Sequence, residues 1–538
     1  MSTTQTLKDR ALAIISNATS LEDISYLAKS LKDNGELTTD VMAAINTKVE
    51  ALASTSSAKE VAYLLKALED DSVTATIKPD MGVAGTFGYG QSPVPDEYMP
   101  AGYVRLTGHT DATHPNYGTV MDEKGSEFAY IAPFWYKVDV NTVTTVNEPT
   151  AGYVELRAFR DSPNGFFFSK FLLSYLAGSL VSQKFGRPVS TNSANAPISQ
   201  VGNGVANNYA GFLDACIVSG YRAPSIFEWV ALQILVLAHS QASTSVAICD
   251  YNDVVPYMPK GCNNNALADV NDTSVKFISS GYSNQAQAGS ANNFAKTTHN
   301  GQNCGIADMN GNMYKIVTGL TYLAKTGATC ASGGTAVALT AHGLSVNDVI
   351  YFGAAPVSGS TYNTAAYTVA TVVDANNFTL TAGVEREIVA TDGVYSAKYF
   401  RILKENVHPE TLNSTNVLNE SLYDLLDLTG IIGSNNGSIY FGNGANQVLN
   451  FSTNINSNDY RKSQVGIPMS TGVSGSGTSA FGSDFLYRYL IHGLVPGVGA
   501  TWGGAASAGV FALNVSAWSL YSYNTVGGFA SVSLKRER

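Results

Sequence analysis

Several groups of side chains in this sequence have types and spacings that chemistry could use. His109, Asp111 and His114 make a His-x-Asp-x-x-His cluster that could hold a metal, although a solvated loop is the preferred reading. Asp269, Asn271 and Asp272 offer oxygen ligands to calcium, but the Gly and Glu positions of an EF-hand loop are missing. The cysteines are Cys216, Cys249, Cys262, Cys304 and Cys330, an odd set with wide spacing and no CxxC pair. Neither a zinc site nor a full disulfide framework follows from that. Cys249 with Cys262, or Cys262 with Cys304, could pair, and free buried thiols are the expectation. The phosphate-loop pattern GxxxxGK[ST] and the zinc pattern HExxH are both absent. No catalytic residue, no metal ligand and no cofactor is expected.

The C-terminal stretch carries another kind of chemistry. Between Phe511 and Phe529 lie Asn514, Ser516, Trp518, Tyr521, Tyr523 and Asn524, with Trp502 upstream. Tyr and Trp offer large contact area at low entropic cost, and Ser and Asn supply adaptable hydrogen bonds. These residues are the candidate ligand-binding set, for sugar or protein recognition. The alternative is that they fill a loop-rich core.

Such residues need a scaffold, and composition bounds what it can be. At 538 residues the chain has room for roughly three or four folded units. Charged residues make up 14%, against a usual level of about 25%. Intrinsic disorder would need low hydrophobicity and high net charge, and neither is present. The formal charge of −10 and the lack of a basic stripe argue against a nucleic-acid partner. The longest apolar runs, Phe171–Val181 and Trp229–Ala238, are well short of the roughly 20 residues that span a bilayer, so no membrane insertion is expected. Met1–Arg10 is polar and lacks the apolar core of a secretory signal. An outside-type surface without an export signal fits a virion protein, made in the host cytoplasm and released by lysis.

The expected elements differ along the chain. Residues 1–78 are Gly-poor and contain two similar stretches. Ser20, Ile24, Tyr26, Leu27, Lys29 and Leu31 match Ser57, Val61, Tyr63, Leu64, Lys66 and Leu68 at a constant offset of 37. Their apolar residues follow the helical period, and Ser20 and Ser57 stand at N-cap positions with Asp23 and Glu60 three residues on. A helical module for attachment or self-association, and a small intramolecular bundle, are compatible readings. Residues 79–105 form a Gly/Pro-rich connector. Beyond it, Glu127–Val140 reads as strand, and Phe167–Lys184, Asn208–Ser219 and Ser225–Ser240 read as helices, the last with a Ser225/Glu228 capping box. Residues 326–390 alternate in period 2 between turn signals and read as an inserted all-β module. Between Ile431 and Leu534 only Asp459, Arg461, Lys462, Asp484 and Arg488 are charged. The Trp, Phe and Val spacing there predicts short strands joined by long loops.

Four segments occur in a telling order: Ala132–Asp139 (APFWYKVD), Gly220–Trp229 (GYRAPSIFEW), Gly305–Lys315 (GIADMNGNMYK), and Trp502-Gly503-Gly504 through Gly527-Gly528-Phe529. This order resembles the formylglycine-generating-enzyme-like branch of the C-type lectin fold. The resemblance covers 106–325 and 391–538 as one interrupted domain. It implies an α+β chain: an N-terminal helical module, a lectin-like domain and the small all-β insertion. Lys315-Ile316 and Ala530 depart from the family pattern. That branch's chemistry uses cysteines late in the domain, and here none follows Cys330. Trp502-Gly503-Gly504, Ala508–Ala512 and Gly528-Phe529 are similar to the ending of phage and retroelement-diversified ligand-binding proteins. The insertion and the N-terminal repeats are similar to parts of phage structural and fibre proteins.

The resemblance implies a non-enzymatic virion fibre protein, on the tail or the head, binding a host surface glycan or protein. Its N-terminal helices would join it to other virion proteins and assemble a homotrimer. The alternative is a structural capsid-decoration or connector fibre that binds no receptor.

Overall fold

A computed structural model describes residues 78–139, 142–250, 258–363, 365–432, 437–440, 451–467 and 484–534, with six single positions before residue 49. The helical module expected over 1–78 therefore lies outside the described residues.

The described chain is mostly β. Its strands fall into six small sheets of two to six strands, and four α-helices are present among the described residues. The expected α+β class is overturned by this distribution, and no lectin-like fold is shown among the described residues. The physical reason is in the local sequence: short apolar runs are cut every few residues by Gly, Asn and Ser, which favours short strands and turns over helices. Phe167–Lys184, expected as a helix, differs: the segment from Phe166 holds strands Phe166–Ser169, Leu173–Leu176 and Ser179–Ser182. Ala177 and Gly178, with φ of 48° and 90°, turn the last two into a hairpin. An apolar run buried on both sides has no periodicity by which helix and strand can be separated. The strand reading at Glu127–Val140 becomes two strands, Glu127–Ile131 and Trp135–Asp139, in different sheets.

A five-stranded antiparallel sheet ties distant parts together. It runs Tyr103–Arg105, Thr119–Asp122, Glu127–Ile131, Phe166–Ser169 and Ser531–Ser533. The strand near the C-terminal end thus pairs with Phe166–Phe168. The helix Ile226–Ala242 packs beside the strand Thr142–Val146 of a three-stranded sheet and is tied to the five-stranded sheet where Ser531 bonds to Glu228. Ser225 accepts the Glu228 N–H while Glu228 accepts the Ser225 N–H, completing the capping box. The helix is apolar nearly all round, and every residue from Ile226 to His239 is buried, as such a helix must be. Trp229 is fully buried, its Nε1 donating to the Val510 carbonyl at 2.9 Å. The helix Tyr209–Val218 starts at Asn208, whose side chain accepts the Gly211 N–H.

Strands Ala336–Ala338, Asn377–Leu380, Ala366–Asp374, Val349–Gly353 and Gly393–Tyr395 form a second five-stranded antiparallel sheet. Its buried residues Val337, Ile350 and Phe378 belong to the same continuous apolar core as Trp229. A six-stranded sheet holds Tyr314–Ile316, Gly497–Val498 and Leu513–Val515 at its centre. It leads directly into the loop that carries the candidate binding residues.

Candidate ligand-binding face

The segment after Leu513–Val515 has almost no regular structure, and its shape is fixed by neighbours. Ser519 and Tyr521 offer their carbonyls to the Ala210 and Tyr209 N–H groups at the start of the helix Tyr209–Val218. These first N–H groups have no partner inside a helix, so the loop satisfies donors the helix cannot. Thr191 holds the far side: its Oγ1 accepts the Tyr523 N–H at 2.9 Å, and its carbonyl accepts the Ser522 hydroxyl at 2.5 Å. Asn524 donates from Nδ2 to the Tyr282 hydroxyl at 2.9 Å.

On this footing three of the predicted aromatic rings come together. Trp518 and Tyr521 meet edge to face at 4.6 Å, and Tyr521 and Tyr523 stack at 5.7 Å. Tyr209 continues the row at 6.0 Å from Tyr521. Trp518 and Tyr521 are half-buried, while Leu520 and Tyr523 are 60% and 48% exposed. Burial, and next the Tyr523 phenol, push the Tyr521 hydroxyl upward, so it stays neutral at ordinary pH. The turn Ser358-Gly359 walls the row: Ser358 and Ser519 share a hydrogen bond of 2.7 Å, and Gly359, at φ +93°, lies against the Trp518 indole. A Cβ at Gly359 would stand 2.9 Å from that ring, so the close approach requires glycine.

The other predicted residues lie differently. Trp502 is buried in a separate cluster with Cys262, Val275, Phe277 and Met313, and presents no open ring to a ligand. Asn514 and Ser516 satisfy each other, the Asn514 Oδ1 accepting both the N–H and the hydroxyl of Ser516. Asn524 is committed to Tyr282 at the edge of the row. Sequence reasoning missed Leu520, Tyr209, Tyr282 and Thr191. Leu520 was legible as an apolar residue inside a polar loop; the other three come from distant segments.

The groups weighed for metal chemistry are occupied by structural bonds. Nε2 of His109 accepts the Val94 N–H and its Nδ1 donates to the Thr119 carbonyl; Nδ1 of His114 accepts from Asn116. Asp269 accepts four donors, from Gly261, Asn263, Asn271 and Asp272, while Asp272 pairs with Lys296 at 2.8 Å. Cys216, Cys249, Cys262, Cys304 and Cys330 are buried and none of them forms a disulfide.

The motifs that drew attention in sequence are structural too. Arg222 clamps Glu228 with two N–H groups, at 2.7 and 2.6 Å, and Ser531 donates to the same carboxylate at 2.5 Å. In Asp308–Asn312, Asp308, Gly311 and Asn312 all have positive φ. The Lys315 ammonium is buried beneath this turn and donates to the Gly311 and Met309 carbonyls at 2.6 and 3.2 Å. Burial pulls its proton affinity down, and Asp308, then Cys262, oppose that pull. Asp308 accepts the Gly289 N–H at 2.7 Å and so bridges two loops.

No family model matches the chain, and no curated protein matches it. Among solved structures there is a local likeness to a chain described as phage phi92 endosialidase: 28% identity over 16% of this chain and 12% of that one, with a TM-score of 0.10. The likeness is confined to that short part of each chain and bears on neither fold nor activity. No described helix is long and apolar enough to cross a membrane.

Proposed function

We propose that this chain is a virion fibre-type protein that recognises a host surface glycan or protein without chemistry, through the Trp518–Asn524 face. One observation supports this reading most. Tyr521 and Tyr523 form an open aromatic row on a loop whose backbone is already tied to a helix start and to Thr191, with the Asn524 side chain tied to Tyr282. An exposed aromatic row normally costs order on binding, and a row held in advance avoids much of that cost. Stacking on a sugar or on a protein side chain uses the ring faces, and the Ser522 and Asn524 groups border them.

Self-association as a homotrimer and joining to other virion proteins through residues 1–78 belong to the same proposal. Individual contacts would be weak, and several copies on one particle would raise avidity.

The test is adsorption of particles carrying Tyr521→Ala or Tyr523→Ala, with melting curves showing that each variant remains folded. Reduced adsorption is the expected result. Unchanged adsorption would remove the binding role of this face and leave a structural decoration or connector fibre as the better reading.

A further inference from the structure

A cleft of about 520 Å³ opens beside the helix Asn458–Ser463, far in sequence from the aromatic row. Arg157, Arg160, Lys404 and Arg461 line it, facing Glu405 and Asp424. Four basic side chains against two acidic ones is a reversal in a chain whose formal charge is −10.

The basic groups are unequal. Arg157 is a fixed charge at the floor: its terminal nitrogens donate to the Leu403 and Lys404 carbonyls, and its guanidinium lies over the Phe227 ring at 4.0 Å. Arg160 and Arg461 stand nearer the mouth, with about a third or more of each side chain exposed. Arg160 gives one N–H to Glu405 at 3.2 Å and another to the Tyr460 hydroxyl at 2.6 Å. A guanidinium carries five N–H donors, so those two bonds leave capacity for a ligand. Arg461 donates to the Leu425 carbonyl at 3.1 Å, and its distance of 3.7 Å from Asp424 is an ion pair without a hydrogen bond. The acidic partners are open to solvent, Glu405 at 75% and Asp424 at 51%. Exposed pairs of this kind are weak, and an incoming carboxylate can replace them.

We propose that this cleft binds an acidic sugar, with Arg160 and Arg461 taking its carboxylate. Guanidinium groups match a carboxylate's two oxygens better than a point charge does. The volume lies within the range of about 300–1,000 Å³ usual for small-ligand sites. The wall mixes charged heads with Leu403 and the Tyr460 edge, and the exposed Asn406 stands beside them. That mixture suits a body with both C–H faces and hydroxyls. A nucleic acid would need a continuous basic stripe, which the sequence lacks. The assignment does not rest on the Trp518–Asn524 face.

The test is calorimetric titration of the full chain with glucuronic acid and a short polyuronic oligosaccharide, with glucose and inorganic phosphate alongside. Saturable binding of the uronic ligands is expected, weakened about tenfold or more by Arg160→Gln and by Arg461→Gln and reduced by salt. Tyr521→Ala should leave it unchanged, which separates this site from the aromatic face. Absence of uronate binding, equal binding of glucose or phosphate, or full affinity in a folded Arg461→Gln chain would each overturn the proposal.

Discussion

Arg222 and Glu228 show how much a single buried pair decides in this protein. Both side chains are under a tenth exposed, and the carboxylate also receives the Ser225 N–H and the Ser531 hydroxyl. Burial pushes Glu228 upward, but the Arg222 guanidinium and these hydrogen bonds outweigh it and hold the carboxyl below its usual range. Truncating one partner of such a pair leaves the other buried and uncompensated, at a cost of about 3–5 kcal/mol. Arg222→Ala should therefore lower the denaturant midpoint sharply, whereas replacing both residues by leucine should cost much less. Equal losses in the two variants would show that packing, and not charge, is what matters there. Because the folded carboxyl titrates below its unfolded value, this contribution is complete above about pH 4.3 and lost as pH falls through the lowered value.

Among the elements, the connector after residue 78 is the least expected piece of order. Its Gly and Pro content excludes long regular structure, yet three buried histidines fasten it. Ring nitrogens of His239 and His109 accept the Gly85 and Val94 N–H groups, and His299 bonds to the Gly90 carbonyl. Tyr89 stacks on His239 at 5.0 Å. Desolvation brings all three imidazoles down to about 4, against the partial support of their backbone partners. The unfolded chain then binds more protons than the folded one between about pH 6.5 and that value, so stability is lost as pH falls across this window. A protonated ring also sets an N–H against the Gly85 and Val94 N–H groups. Hydrogen exchange at those two amides should therefore accelerate at pH 4.5 relative to pH 7, once corrected for intrinsic rates. Unaltered protection would show that the connector is held by packing alone. Asp161, which burial raises to about 6, works in the opposite direction, gaining stability as it protonates, and makes the local measurement more telling than a global one. Legibility at this scale was uneven. The Ser225/Glu228 cap and the Asn208 start could be read because a helix terminus is settled by neighbours in sequence. The strand Phe166–Ser169 could not, because it is buried throughout and its partners come from Glu127–Ile131 and Ser531–Ser533.

For the whole molecule, closure depends on the C-terminal strand. Phe529 is fully buried against Phe168 and Trp229, Ser531–Ser533 pairs with Phe166–Phe168, and Ser531 reaches Glu228. A chain ending after Asn524 should lose cooperative unfolding, which near-ultraviolet circular dichroism and a melting curve would reveal; a retained sharp transition would contradict this account. Residue order alone settled the local chemistry: where two helices start, that the charge balance disfavours nucleic acid, and that the C-terminal loop is rich in rings and amides. It did not determine the mostly β architecture, because an α+β reading rested on short apolar runs and an ordered set of motifs, and those motifs proved to be structural clamps. Which rings are open follows from long-range packing. Trp502 and Trp518 lie 16 residues apart in equally polar surroundings, yet one closes a core with Phe277 and Met313 while the other borders an exposed row. Exposure is set by what distant segments bring alongside, here Tyr209, Thr191, Tyr282 and the Ser358-Gly359 turn. No spacing within one stretch of chain carries that information.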